Sequence, residues 1–290
     1  MASVLMTNMA SISAQRYLGT AQNKLAASFE KLSSGLRINR AQDDAAGMGI
    51  SQRLTASISS TSMAMRNAND AIGVLQTAEG ALTEISNMLQ RFKELSVQGG
   101  NPALSDTQRG FLSVEMDGLR QEIEAISTRT RFNGTSLLGN TADGGSPETL
   151  VFQTGEGTTD TLSVATLDIM TGDALQALLS QNTFVDSTTG EGAITSTGGF
   201  AALSEQIDSA IDEVATARAK YGAQVNRLNH NIANLSALYE NLSAANSRVV
   251  DTDYANETAQ LTKTQILQQA ATAMLSQANA QPNVVLALLK

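Results

Sequence analysis

Few residues in this 290-residue sequence are of types that do chemistry. His230 is the only histidine and cysteine is absent, so no thiolate metal site, Cys nucleophile or disulfide can form. With no second histidine to complete a metal shell, His230 reads as a surface or seam residue of a long helix. Asp43-Asp44 is an acidic pair of the kind general acid–base catalysis uses. Standing directly before Ala45-Ala46-Gly47, the pair is better suited to capping a helix N-terminus, where carboxylates are favoured. Gly47-Met48-Gly49 matches a fragment of a dinucleotide-binding loop. It lacks the preceding strand, the third spaced glycine and the following acidic residue that such a loop needs. No Gly-rich loop ends in Gly-Lys-Ser/Thr, and no His-Glu-x-x-His occurs. The expectation is a non-enzymatic chain with no cofactor and no metal.

Composition points the same way. The net charge of −9 repels phosphate backbones, which argues against a nucleic-acid partner. There is no Trp, and only 7 Phe and 4 Tyr, so the apolar content is small and aliphatic. That mixture suits long helices with narrow apolar seams better than a thick globular core. Residues 1–15 carry neither a basic segment nor an unbroken apolar stretch of secretion-signal type. No apolar run approaches the roughly 18 residues of a membrane span. Taken alone, these facts favour a cytosolic protein.

The elements that would position any functional surface are written in periodicity. Leu203, Ile207, Ala210, Val214, Ala217, Tyr221, Gln224, Leu228, Asn231, Leu235, Leu238, Leu242, Ala245 and Val249 follow one another in alternating steps of four and three. This heptad seam predicts a helix roughly 70 Å long at about 1.5 Å per residue, with Gln224 and Asn231 as polar, register-setting members. Ile72, Leu75, Ala78, Leu82, Ile85, Leu89, Phe92 and Leu95 form a second stripe, and Leu112, Met116, Leu119, Ile123 and Ile126 a third. Gly99-Gly100-Asn101-Pro102 stops one helix, and Ser105 or Asp106 can cap the next, which predicts an antiparallel hairpin. The long C-terminal helix then packs on it as a third member.

The two ends are also helical, but thinner. Residues 5–32 carry Leu18, Leu25, Phe29 and Leu32 on one face; residues 254–280 carry Leu261, Ile266, Leu267 and Met274. Neither stripe is wide enough to fold stably alone, so the ends need each other or other copies of the chain. Between them, residues 132–217 contain no Lys or Arg, and residues 139–200 are rich in Thr, Ser, Gly and Asp. Two strand-like runs, 150–153 and 161–165, predict an exposed β-hairpin and loop region that tolerates insertions near Gly144-Gly145. The fold expected is mainly α: a long coiled-coil-like helical bundle with paired terminal helices and a small β-hairpin region.

Several blocks of residues resemble one family. Ser33-Ser34-Gly35-Leu36-Arg37-Ile38-Asn39, followed by Asp43-Asp44-Ala45-Ala46-Gly47, is similar to the N-terminal block of bacterial flagellins. Phe132-Asn133-Gly134-Thr135 is similar to the point where the β region of that family begins. Asp253-Tyr254-Ala255, Ile266-Leu267-Gln268-Gln269-Ala270, Gln277-Ala278-Asn279 and the tail from Asn283 resemble its C-terminal block. The resemblance covers roughly residues 1–140 and 200–290, with the blocks in order.

The resemblance implies a subunit that polymerises into the flagellar filament for swimming motility. It implies a D0 core of paired terminal helices (1–40 with 252–290) and a D1 helical bundle (41–140 with 200–251). Residues 141–199 would be an exposed hairpin and loop part of D1, too short for a separate outer domain. Leu18, Leu25, Phe29, Leu32, Leu261, Ile266, Leu267, Met274, Leu286, Leu288 and Leu289 would form the polymerisation core. The ends would be mobile in the free subunit and ordered in the polymer. Export through the flagellar type III channel needs no cleavable signal, which reverses the cytosolic expectation. Implied partners are further copies of the chain, an export chaperone, the hook-associated junction and cap proteins, and the host Toll-like receptor for flagellin. For that receptor the matching block is Leu89, Gln90, Arg91 and Leu95, with Glu115 on the adjacent helix. Two other readings stay open at this point: a hook–filament junction protein, which shares helical termini, and a coiled-coil scaffold or signalling protein, supported by the heptads.

Overall fold

The structure, a computed structural model, describes residues 7–138, 149–165, 173–180, 184, 193–194 and 196–288. In chain order it contains α1 (Met9–Ser34), α2 (Ala45–Gly99), α3 (Asp106–Arg129), β1 (Arg131–Phe132), β2 (Thr135–Ser136), β3 (Thr149–Gln153), β4 (Thr161–Ala165), α4 (Asp173–Leu179), α5 (Thr197–Val250) and α6 (Tyr254–Leu288). The fold is mainly α, with two small antiparallel hairpins. The chain divides into two compact units, Met1–Ser59 with Tyr239–Lys290 and Ser60–Leu238; α2 and α5 contribute residues to both.

The core of the Ser60–Leu238 unit follows the heptads. Leu82, Ile85, Leu89, Phe92 and Leu95 of α2 are closed off from solvent with Met116 and Ile123 of α3 and Phe200, Leu203, Ile207, Ala210 and Val214 of α5. Such seams bury apolar area at roughly 25 cal/mol per Å², the main force holding the helices together. α2 and α5 run antiparallel. Ser96 Oγ donates to Phe200 O (2.8 Å), Lys93 Nζ to Ser204 Oγ (2.6 Å), and Arg218 Nε to Glu79 Oε1 (2.8 Å). α2 and α3 form the expected hairpin. Ser105 Oγ accepts from Gln108 N (3.3 Å) while Gln108 Oε1 accepts from Ser105 N (2.9 Å), a reciprocal cap. The buried Arg109 guanidinium clasps the turn by donating to Gly99 O and Asn101 O.

β1 and β2 pair Phe132 with Thr135, leaving a two-residue turn at Asn133-Gly134. Both turn residues have positive φ, 49° and 87°, as a tight hairpin of this twist requires. β3 and β4 pair Thr149 with Ala165 through to Gln153 with Thr161, within a residue of the strands expected from sequence. Among the described residues from β4 to α5, several are less exposed than the composition implies. Leu162, Val164, Leu175, Leu178, Leu179 and Phe184 are all buried, and α4 appears where loop was expected. The physical reason is local: the apolar residues after β4 are spaced too briefly to register as a helical or strand period, yet all six join the core shared with α2, α3 and α5. Gly144-Gly145, the expected insertion point, lies outside the described residues.

Gly80 sits in the interior of α2, exposed, with nothing within 4 Å of where a Cβ would stand. A helical glycine costs roughly 0.5–1 kcal/mol relative to alanine. Gly80→Ala is therefore expected to stabilise the isolated chain by about that amount. A urea titration that finds the variant equal or weaker would show that the helix is not limited by propensity there.

Candidate functional site: the paired terminal helices

In the Met1–Ser59 and Tyr239–Lys290 unit, α1 and α6 pack antiparallel. Asn8 Nδ2 donates to Ala278 O (2.7 Å) and Ser11 Oγ to Asn279 Oδ1 (2.8 Å) at one end; Tyr254 OH reaches Leu32 O (3.4 Å) at the other. The residues meeting at the seam are small. Ala14, Ala21 and Ser28, seven apart on α1, are buried, as are Thr264 and Ala278 on α6. Small side chains let the two backbones approach closely but bury little area each. Leu18, Leu25 and Leu32 of α1 and Leu261 of α6 are half-buried along the same seam.

Large apolar residues on the same two helices stay open to solvent. Met9, Ile12, Tyr17 and Phe29 of α1 and Tyr254, Ile266, Leu267 and Met274 of α6 are each more than half exposed. Tyr17, Thr20 and Lys24 face Leu267, Ala270 and Met274 across a groove of about 450 Å³. Of the residues expected in the polymerisation core, Leu286 and Leu288 fall in the last turns of α6, where the backbone alone is described. Leu289 lies outside the described residues.

The linkers that carry the chain out of α1 and into α6 are tied together. Leu36 bridges Asp251, Arg37 N donates to Val250 O (2.6 Å), and Thr252 N donates to Gly35 O (2.9 Å). Gly35 has a φ of 72°, the left-handed C-cap geometry. The Arg37 guanidinium donates to Val249 O (2.6 Å), satisfying a carbonyl at the open end of α5. The Asp43-Asp44 pair caps, as its position before α2 suggests. Asp43 Oδ2 accepts from Asn39 N (3.1 Å) and Arg40 N (3.0 Å), and Asp44 Oδ1 accepts from Gly47 N (2.9 Å) in the first turn of α2. Gly47 is needed because a Cβ there would stand 2.6 Å from both Ile38 Cδ1 and Asp44 Oδ2.

Those backbone donors, Arg40 N first and then Asn39 N, hold the Asp43 carboxyl below its ordinary 3.8. A carboxylate with a depressed folded-state pKa contributes stability above its unfolded pKa and loses it as pH falls through the folded value. Asp43→Asn is therefore expected to lower the melting temperature of this unit at pH 6. The gap from wild type should close as pH drops below 3.8. A gap that persists unchanged at pH 2 would remove the charge from the explanation.

A second surface lies on the Ser60–Leu238 unit. Arg91 donates to Glu115 Oε1 from Nε (3.0 Å) and Nη2 (2.8 Å) and to Glu94 Oε2 from Nη1 (2.9 Å). These carboxylates, Glu94 first, hold the guanidinium pKa above its usual value. Arg91, Glu115 and Gln90 are exposed. Leu89 and Leu95 are not: both are at 0 % exposure. Their heptad positions put them in the core of the bundle, so they pack α2 and present no surface to a receptor. Of the residues the resemblance implies for a receptor, Gln90, Arg91 and Glu115 are the exposed ones. His230 is exposed on α5, and among the described residues no group of three His, Cys, Asp or Glu side chains could hold a metal ion. Among the same residues no helix is long and apolar enough to cross a membrane.

Residues 5–143 match the bacterial flagellin N-terminal helical region, and residues 204–289 match the bacterial flagellin C-terminal helical region. The sequence is 44% identical to a flagellin of Bacillus subtilis (strain 168) over 300 aligned residues, covering 98% of each chain. It is 40% identical to a flagellin of Halalkalibacterium halodurans over 285 residues, again covering 98% of each. Among solved structures it is similar to Bacillus cereus flagellin, at 29% identity with a TM-score of 0.49, covering 62% of this chain and 94% of that one. It also shares its fold with Bacillus cereus FlgL, at 14% identity with a TM-score of 0.51, covering 68% and 99%. With both helical regions present in order and relatives matched along nearly their whole length, the chain belongs to the bacterial flagellin family, the structural subunits of the flagellar filament.

Proposed function

We propose that copies of this flagellin polymerise chiefly through the α1–α6 pair, with Phe29, Ile266, Leu267 and Met274 buried by neighbouring subunits. The observation that supports this is the exposure on the two helices: the small seam residues are buried, while the large apolar residues beside them are each more than half exposed. One copy leaves that area wet, and repeated head-to-tail contacts that do not close cover it by growing a helical filament. In this reading residues 1–40 with 252–290 form D0, 41–140 with 200–251 form the D1 bundle, and 141–199 belong to D1. The chain leaves the cell by the flagellar type III route, held beforehand by an export chaperone on α6. It meets the junction and cap proteins at the filament ends. Seeding purified subunit with filament fragments tests the assembly reading by electron microscopy. Micrometre filaments are expected, and Met274→Asp, which puts a charge into the buried contact, should stop growth. Normal growth of that variant would remove Met274 from the interface. A junction-protein reading is disfavoured by the full-length match to flagellins.

The monomer is also proposed to engage the flagellin-sensing Toll-like receptor through Gln90, Arg91 and Glu115. Arginine anchors interfaces well because its planar guanidinium makes several directed hydrogen bonds. Here it is already preorganised by two carboxylates. Arg91→Asp is expected to lower receptor activation at least tenfold in a reporter-cell assay while the far-UV circular dichroism spectrum stays unchanged. Equal potency of the variant would move recognition elsewhere.

A further inference from the structure

The antiparallel seam of α2 and α5 is built unevenly within the Ser60–Leu238 unit. Around Leu82, Ile85, Leu89, Phe92 and Leu95 it is made of large side chains, all fully buried, and is tied by Ser96 and Lys93 to α5. One and a half heptads nearer the start of α2 the same seam is made of Thr61, Ala64, Ala68 and Ala71. The register set by Ser96–Phe200 and Glu79–Arg218 brings this stretch against Gln224, Leu228, Asn231 and Leu235 of α5. Three side-chain oxygens buried there, Thr61 Oγ1, Gln224 Oε1 and Asn231 Oδ1, have no hydrogen-bond partner among the described residues. Gly73 and Gly222 weaken both helices beside it, and nothing stands within 4 Å of where a Cβ would be at either position.

Each of these features lowers the free energy needed to part the helices locally. Alanines return little apolar area to water when the seam opens. Buried amide and hydroxyl oxygens gain water partners they lack when it is closed. The β3–β4 hairpin covers the stretch, with Asn67 Nδ2 donating to Gln153 O (3.0 Å), and so must lift with it.

We infer that residues 61–73 of α2 and 222–235 of α5 form a separate local unfolding unit, the place where the bundle unzips while the seam from Leu82 to Leu95 stays closed. Proteins open in such cooperative pieces, and the piece with the least apolar burial and the most unsatisfied polar groups opens first. The inference concerns one unit of one chain and does not depend on how copies assemble.

Hydrogen exchange read by mass spectrometry on the purified full-length monomer tests it. Peptides from 61–73 and 222–235 are expected to exchange at least tenfold faster than peptides from 82–95 and 203–217. They should do so with a shallower dependence on urea, the mark of a small opening. Uniform protection across the four peptides, or a shared urea dependence, overturns the inference without any variant. The double variant Gln224→Leu with Asn231→Leu fills the seam with apolar groups and should slow exchange at 61–73 about tenfold while leaving 82–95 unchanged. Equal slowing at both sites would mean one global opening and also overturns it. Asn231→Ala, which removes an orphaned oxygen without adding volume, should slow 61–73 to a smaller extent if the double variant folds poorly. No slowing in Asn231→Ala would count against the polar seam as the cause.

Discussion

Removing residues 280–290 is expected to leave the Ser60–Leu238 unit folded and to abolish or severely reduce filament growth. The core of that unit draws on residues from Ala68 to Leu228, none of them in α6. Its thermal transition should therefore be unchanged. The α1–α6 pair is different. Its seam is small-residue and narrow, and fixing each backbone residue costs about 1–2 kcal/mol. Without the last turns of α6 the end of the pair held by Asn8–Ala278 and Ser11–Asn279 loses the helix that continues beyond it. Assembly is proposed to supply the burial the pair lacks, so a shortened α6 has less to offer a neighbour. Circular dichroism and seeded electron microscopy read the two halves of the expectation. Normal filaments from the truncated chain would sink it. Full hydrogen-exchange protection of both ends in the wild-type monomer would do the same, since the ends would then need no polymer to be ordered.

The second large effect is expected from Phe184→Ala. Phe184 is at 0 % exposure, its ring meets Phe92 edge-on at 5.5 Å and 78°, and its carbonyl accepts from the buried Ser113 hydroxyl. Truncating a fully buried phenylalanine removes its apolar area and leaves a cavity, typically worth about 3–5 kcal/mol. For a unit of this size that corresponds to a fall in melting temperature of roughly 10 °C. The same residue ties Ala193 in place, with Ala193 N donating to Phe184 O (2.9 Å). Phe184→Leu should recover part of the loss. A melting temperature within a degree or two of wild type would show that the site can collapse around the missing ring.

Most of the helical frame was legible in the sequence because heptads encode both the element and its inward face. The seam of α5 from Leu203 to Leu235, the stop at Gly99 and the cap at Ser105 are local, and each lies where periodicity or cap chemistry put it. The same periodicity placed Leu89 and Leu95 inside while family resemblance offered them as surface; packing decided for the core. Strands β3 and β4 were legible from β-branched and apolar alternation bounded by glycine-rich turns.

Other features have no local signature. Phe184 is one phenylalanine in a Thr- and Ser-rich stretch, and only the space between α2 and α3 makes it a core residue. The Arg37 clasp on the end of α5 joins residues more than 200 apart in sequence, which no window of neighbours reveals. The ends are the clearest case. Sequence supplied thin stripes of leucine and isoleucine and implied that they need partners. The tertiary structure buried Ala14, Ala21, Ser28, Thr264 and Ala278 and left Phe29, Ile266, Leu267 and Met274 more than half exposed. Periodicity determines which residues share a face of a helix. Which residues of that face are closed off from water depends on how closely the backbones can approach, and small side chains win that contest.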